Sequence, residues 1–167
     1  VVADLAAAMS RHLPTSDPLA PYPARLLATD AARTSLKGFL TGSIDVVLKL
    51  PRGGFVVVDY KTNRLPVPPE QELSVEHYHP SAMAEAMMQA HYPLQALLYC
   101  AALHRFLAWR LPGYSPGKHL GGVGYLFVRG MAGPGTPVVA GGRCGVFEWF
   151  PPAELVVEVS DLLGGGQ

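Results

Sequence analysis

The sequence predicts a mixed α/β sandwich, and three observations carry that prediction. Two apolar runs, at residues 38–50 and 55–61, flank a tight turn. A long stretch at residues 81–110 is rich in Ala, Met and Leu and reads as helix. A β-rich run, "GVGYLFVRG", and a shorter one, "VFEWF", then lead into a last helical segment. The order is helix, two or more strands, helices, strand, strand, helix, with no internal repeat.

Residues 1–13 read as the end of a helix, with Leu5, Met9 and Leu13 on one stripe. The abrupt opening, "VVADLAAAM", suggests a piece of a longer protein. "PTSDPLAPYPARLL" is proline-rich and predicts a loose connector. Pro51-Arg52-Gly53 fits a three-residue hairpin loop. Proline suits the first central position of a type I turn, and glycine suits the left-handed position that closes it. That register sets Leu48 opposite Val56, Val46 opposite Val58 and Asp45 opposite Asp59. "NRLPVPPEQELSVEHYHP" has four prolines and no clear period, so it predicts a long loop. Pro93 divides the helical stretch, either as a kink or as the first turn of a second helix. "LPGYSPGKHLGG" and "MAGPGTPVVAGGRCG" read as loops, and "PPAELVVEVSDLL" as a short helix with proline at its start.

The chain has 167 residues, 49% of them apolar and 16% charged, so it predicts a single domain with a real core. Its formal net charge is zero, whereas an isolated nucleic-acid binder is usually basic. A nucleic-acid role would have to rest on a local site or on a larger assembly. Cys100 and Cys144 lie outside any metal-ligand pattern. They read as buried thiols of a reducing compartment, with one disulfide as the alternative. The chain has no run of eighteen apolar residues and no signal-peptide layout, which predicts a cytoplasmic protein with no membrane role.

The hairpin register sorts its side chains onto two faces. Ile44, Val46, Leu48, Val56, Val58 and Tyr60 read as the core face. The other face carries Asp45, Val47, Lys49, Phe55, Val57, Asp59 and Lys61. Like charges directly opposed across strands are destabilising, so Asp45 and Asp59 call for a positive partner. A divalent cation suits them, and hard carboxylate oxygens without cysteine point to Mg²⁺ or Mn²⁺. The alternative is two solvated acids at strand ends near Lys61 or Arg64. Lys61, two residues beyond Asp59, favours the first reading. Two acids and a lysine are what a metal-dependent phosphodiesterase needs. His77 and His79 in "EHYHP" read as a solvated pair, and "SPGKH" lacks the rest of a phosphate loop.

Asp45 followed by Asp59-Tyr60-Lys61 resembles the PD-(D/E)xK nuclease motif. "LKGFLTGSIDVV", "VVVDYKTNRL", "AMAEAMMQAHYPLQALLYCAALHRFL" and "LGGVGYLFVRGM", in that order, resemble the C-terminal nuclease domains of the RecB family, the beta subunits of exodeoxyribonuclease V. The resemblance covers residues 36–131. It implies a restriction-endonuclease-like core, a mixed central β-sheet flanked by helices. It implies a catalytic core at residues 38–131, preceded by a connector and partial helix at 1–37 and followed by a terminal strand and helix at 132–167. It implies that Asp45, Asp59 and the backbone carbonyl of Tyr60 are metal ligands and that Lys61 is the catalytic lysine. Gln95 and Tyr99 match the family's QxxxY motif, which implies DNA contact, and the i, i+4 spacing puts both on one helix face with His91 a turn earlier. The implied cofactor is Mg²⁺, with Mn²⁺ or Ca²⁺ able to substitute in binding. The implied partners are single DNA strands fed by a helicase, helicase domains of the same full-length chain, and RecC- and RecD-like subunits. The implied activity is DNA hydrolysis during double-strand break processing and recombination.

One departure stands out. The family carries a metal-binding histidine in a motif like G-x-x-x-H-x-x-x-E, and His12 in "MSRHLP" has neither the glycine nor the glutamate. This sequence therefore predicts weak metal binding and weak or absent cleavage by the chain alone. Two rivals stay open: an inactive domain of the same fold that guides a DNA strand or docks a partner, and a stand-alone endonuclease, which would need a basic groove of its own.

Overall fold

The structure, a computed structural model, describes residues 2–30 and 41–164. A four-stranded mixed sheet has the order β1-β2-β3-β6. Strands β1 (Val46–Lys49) and β2 (Phe55–Lys61) are antiparallel, β3 (Leu120–Phe127) runs parallel to β2, and β6 (Val146–Trp149) runs antiparallel to β3. The hairpin has the predicted register, with Val46 opposite Val58 and Leu48 opposite Val56. Its loop closes through Leu50 N–H to the Gly54 carbonyl at 2.7 Å, and Gly53 takes φ +91° as the turn requires. The first strand is shorter than expected. Residues 41–45 lie outside it, and residues 38–40 of the predicted run fall outside the described residues.

Parallel strands need a long crossover, and helices α3 (Pro80–Gln89), α4 (Tyr92–Arg110) and the short α5 (Pro116–His119) supply it between β2 and β3. Pro93 is in the first turn of α4, so the predicted helical stretch is two helices. His91 joins them in the left-handed region at φ 55°. His79 caps α3 by accepting the Ala82 N–H at 3.3 Å, and His77 accepts the Ser74 N–H at 3.0 Å. The two histidines thus organise the approach to α3. Helices α1 (Val2–His12), α2 (Tyr22–Leu27) and α6 (Ala153–Gly164) complete the layer. Arg11 and His12 both bind Glu158, which ties α1 to α6.

Four expected loops are firmer than the sequence suggests, and the one at residues 111–122 holds α5 and the start of β3. Leu19 and Tyr22 of the proline-rich connector are fully buried, and Asp17 accepts the Trp149 indole N–H at 3.1 Å. The glycine-rich segment before β6 contains a small hairpin of β4 (Val138–Val139) and β5 (Gly142–Arg143). The long loop after β2 includes a 3₁₀ turn at Val75–Tyr78, whose Tyr78 is buried and donates to the Asn63 carbonyl at 2.9 Å. Cys100 and Cys144 are free and buried, as the sequence suggested.

The expected core face of the hairpin is a correction. The face packed under the helices carries rows Val57–Val123–Trp149 and Asp59–Tyr125–Phe147, with Lys61 beside Phe127. These side chains are buried, Asp59 to 5% and Lys61 to 9% exposure. The opposite face is the more open one. Leu48 and Tyr60 are 48% and 52% exposed, and a Cβ on Gly124 would meet nothing within 4 Å. The physical reason is the crossover. Both faces of β2 are apolar enough for a core, and α3 and α4 cover the side that bears Asp59.

Candidate active site

The site grows from the end of β2. Strand alternation sends Val57, Asp59 and Lys61 to the helix-covered face and Tyr60 to the other. Asp59 is therefore a carboxylate inside the fold, and burying an ion there costs several kcal/mol unless it is paired. Lys61 pairs with it, Nζ to Oδ2 at 2.7 Å. That approach is close enough for an ion pair but lacks hydrogen-bond alignment, and Asp59 Oδ2 has no hydrogen-bond partner. A carboxylate oxygen has more than one lone pair, so Oδ2 can accept a second partner beside Lys61.

Asp45 approaches from the hairpin partner, one residue before the β1–β2 ladder begins at Val46–Val58. Its Oδ2 accepts the Tyr60 backbone N–H at 3.1 Å, which fixes the carboxylate against the end of β2. Asp45 is exposed where Asp59 is buried. Tyr99 registers both. Burial raises its phenol above the usual tyrosine range, and the negative charges of Asp59 and then Asp45 raise it further.

Helix α4 supplies the opposing wall. Tyr92, Gln95 and Tyr99 recur at three- and four-residue spacing, which stacks them on one helix face. Gln95 Oε1 accepts from Lys61 Nζ at 3.0 Å, and its Nε2 donates to the Tyr99 hydroxyl at 3.0 Å. Lysine can only donate, so this contact fixes the orientation of the amide. The Tyr125 hydroxyl, from the strand beside Asp59, lies 3.2 Å from the same Gln95 oxygen. Burial, then the Asp59 charge, pushes the Tyr125 phenol well above its ordinary range, so it stays a neutral donor. Of the predicted residues, the structure brings Asp59, Lys61, Gln95 and Tyr99 into direct contact, with Asp45 at the edge. The sequence reading missed Tyr92 and Tyr125. Tyr92 lies one helical turn before Gln95, which is a signal that spacing alone could have offered.

Asp45, Asp59 and the Tyr60 backbone carbonyl, all oxygen donors, are the groups that could hold a hard divalent cation. Among the described residues, no three His, Cys, Asp or Glu side chains cluster as metal ligands. His12 is held by Glu158 at 2.7 Å. No helix of the described residues is long and apolar enough to cross a membrane.

Comparison with known proteins identifies the family. The sequence model of the PD-(D/E)XK nuclease superfamily matches residues 2–144. The chain is 51% identical, over 166 residues and 99% of its length, to the RecBCD enzyme subunit RecB of Mycobacterium tuberculosis (strain ATCC 25618 / H37Rv). It is 51% identical over 97% of its length to the RecB subunit of Mycolicibacterium smegmatis, and 35% identical over 78% to that of Escherichia coli (strain K12). The chain spans 15% of the length of each mycobacterial relative and 10% of the Escherichia coli one.

Proposed function

The chain belongs to the PD-(D/E)XK nuclease superfamily and, within it, to the RecB nuclease domains, and from that membership we propose that it hydrolyses DNA phosphodiester bonds as the nuclease domain of a RecB-type helicase–nuclease. The observation that carries the proposal is the buried Asp59–Lys61 pair on β2, with Asp45 bonded to the Tyr60 backbone N–H between the two. Asp45, Asp59 and the Tyr60 carbonyl would hold a divalent cation, Mg²⁺ in the cell, with Mn²⁺ or Ca²⁺ able to take its place in binding. The bound ion would supply a polarised water and charge neutralisation at the phosphate. Lys61 places a positive charge where negative charge develops during cleavage. Gln95 keeps Lys61 in place, and Tyr99, half-buried at the mouth, offers a ring and a hydroxyl to the DNA strand.

In this reading the catalytic core is residues 38–131, preceded by a connector and partial helix at 1–37 and followed by a terminal strand and helix at 132–167. The whole protein acts in the cytoplasm on linear DNA, in double-strand break processing and recombination. Helicase domains of the same chain and RecC- and RecD-like subunits deliver single strands to the site. A motor that holds the DNA accounts for a nuclease domain of zero net charge. The absence of a third ligating side chain among the described residues favours one other reading, a domain of this fold that guides a strand without cutting it.

The test is Asp59→Ala in the complete protein, assayed with Mg²⁺ on linear DNA. Cleavage should disappear while ATP-driven unwinding continues. Retained Mg²⁺-dependent cutting would remove Asp59 from the mechanism. A wild-type protein that unwinds but never cuts would establish the strand-guide reading.

A further inference from the structure

The Lys61 ammonium has a boundary that neither the acid nor the amide provides. Its Nζ lies 3.8 Å from the centroid of the Tyr92 ring and 5.1 Å from that of Tyr125. The two rings are stacked, with centroids 5.8 Å apart and planes 12° from parallel. Each ring is fixed from outside. The Tyr92 hydroxyl donates to Asn63 Oδ1 at 3.1 Å, and the Tyr125 hydroxyl lies within reach of Gln95 Oε1 and of the Tyr92 carbonyl. A lysine has a flexible four-carbon stem and a compact, strongly hydrated charge. In this site the carboxylate and amide direct the charge, and an aromatic face replaces much of its lost hydration.

We propose that Tyr92 is a positioning residue for Lys61: its ring face holds the ammonium against the buried Asp59 carboxylate. The inference rests on the nuclease reading above. The helical register is what makes it work. Tyr92 opens α4 one turn before Gln95, so the same helix supplies both the face and the acceptor for one charge. Asn63, two residues after Lys61, anchors the Tyr92 hydroxyl. The strand end that carries the lysine thereby also fixes the ring that holds it. Loss of the ring would free the stem to leave the site although every charged partner remained.

Two variants separate the ring from the hydroxyl. Tyr92→Phe keeps the face and loses the bond to Asn63; Tyr92→Leu keeps apolar bulk and loses the face. In the complete protein, Tyr92→Leu should lower kcat for DNA cleavage by roughly tenfold, the scale of a desolvated cation–π contact, with KM for DNA nearly unchanged. Tyr92→Phe should restore most of the rate. A second readout needs no activity. The chain's lysines are Lys37, Lys49, Lys61 and Lys118. With ¹³C-lysine in the folded 167-residue chain, ring current should shift the Lys61 ε-methylene protons upfield of the others. Tyr92→Leu should abolish most of that shift, and Tyr92→Phe should keep it. Wild-type kcat in Tyr92→Leu, or an unshifted Lys61 signal in the wild type, would overturn the proposal. A wild type that shows the shift but no cleavage would instead overturn the nuclease reading and leave Tyr92 as a structural clamp.

Discussion

Removing the Asp59 carboxylate should cost folding stability as well as activity, and the two losses can be separated. Asp59 and Lys61 are 5% and 9% exposed and lie 2.7 Å apart. Breaking a buried pair by deleting one partner typically costs about 3–5 kcal/mol, because the other charge is left uncompensated. Lys61 would keep its bond to Gln95 and its contact with the Tyr92 face, each worth about 1 kcal/mol. The expected loss for Asp59→Ala is therefore near the low end, about 3 kcal/mol. For a chain of this size that lowers the urea midpoint by about 1.5–2 M. The double variant Asp59→Ala/Lys61→Met removes the orphaned charge and leaves a thioether beside two aromatic rings, a favourable placement. It should recover about 2 kcal/mol of the loss, and neither variant should cleave DNA. The assay is urea unfolding followed by far-UV circular dichroism, with equal slopes required across the variants. If the double variant unfolds no later than Asp59→Ala, Lys61 is not a buried, charge-paired lysine and the account of this site fails.

Other outcomes follow from the same structure. Tyr99→Phe should change stability by less than about 1 kcal/mol, because it removes one hydrogen bond at a half-buried position, and yet slow DNA cleavage; unchanged cleavage would place the Tyr99 hydroxyl outside the chemistry. Gly145→Ala should cost about 3 kcal/mol or more, since Gly145 has φ +73° and a Cβ there would come within 2.6 Å of the Gly130 backbone. Gly124→Ala, on the open face, should be tolerated within about 0.5 kcal/mol, and thermal melting distinguishes the pair. Burial pushes the Cys100 thiol up to about 12, so between about pH 9 and 12 the folded state keeps a proton that the unfolded chain loses. Stability then falls as pH rises, by up to about 1.4 kcal/mol per pH unit, and Cys100→Ala should flatten that limb in urea titrations at stepped pH.

The parts of the fold legible in the sequence were those with local chemistry. Pro51-Arg52-Gly53 defined the hairpin and its register because a three-residue turn admits few pairings. Pro93 marked the start of α4 because proline is tolerated in a first helical turn. Most of the "GVGYLFVRG" run became the strand beside β2, as its β-branched and aromatic content suggested, and its last three residues form a 3₁₀ turn. What failed was long-range. The proline-rich segment around Leu19 and Tyr22 looked loose because its burial depends on α1 and β6, which composition cannot place. The small hairpin of β4 and β5 is two residues per strand, too short for periodicity to register.

The inverted hairpin face is the most informative failure. Alternation sorts side chains correctly into two sets, but it does not say which set is inside. The usual rule sends the set with more charge to solvent, and here it sends Asp45, Asp59 and Lys61 there. The fold does the reverse for the last two, at a desolvation cost that a purely structural strand would avoid with valine or isoleucine. A local rule broken at one strand end, where the turn beside it obeys its own, is the kind of conflict that functional sites carry. The same step explains why Tyr125 escaped notice. It meets Asp59 only through the parallel pairing of β2 with β3, where Asp59 lies opposite Tyr125. That register is set across a crossover of two long helices, beyond the reach of any sequence spacing. The acid, the lysine and the QxxxY stripe could be read from the chain. Of the aromatic pair beside them, Tyr92 shares that helical spacing and Tyr125 is placed by the sheet.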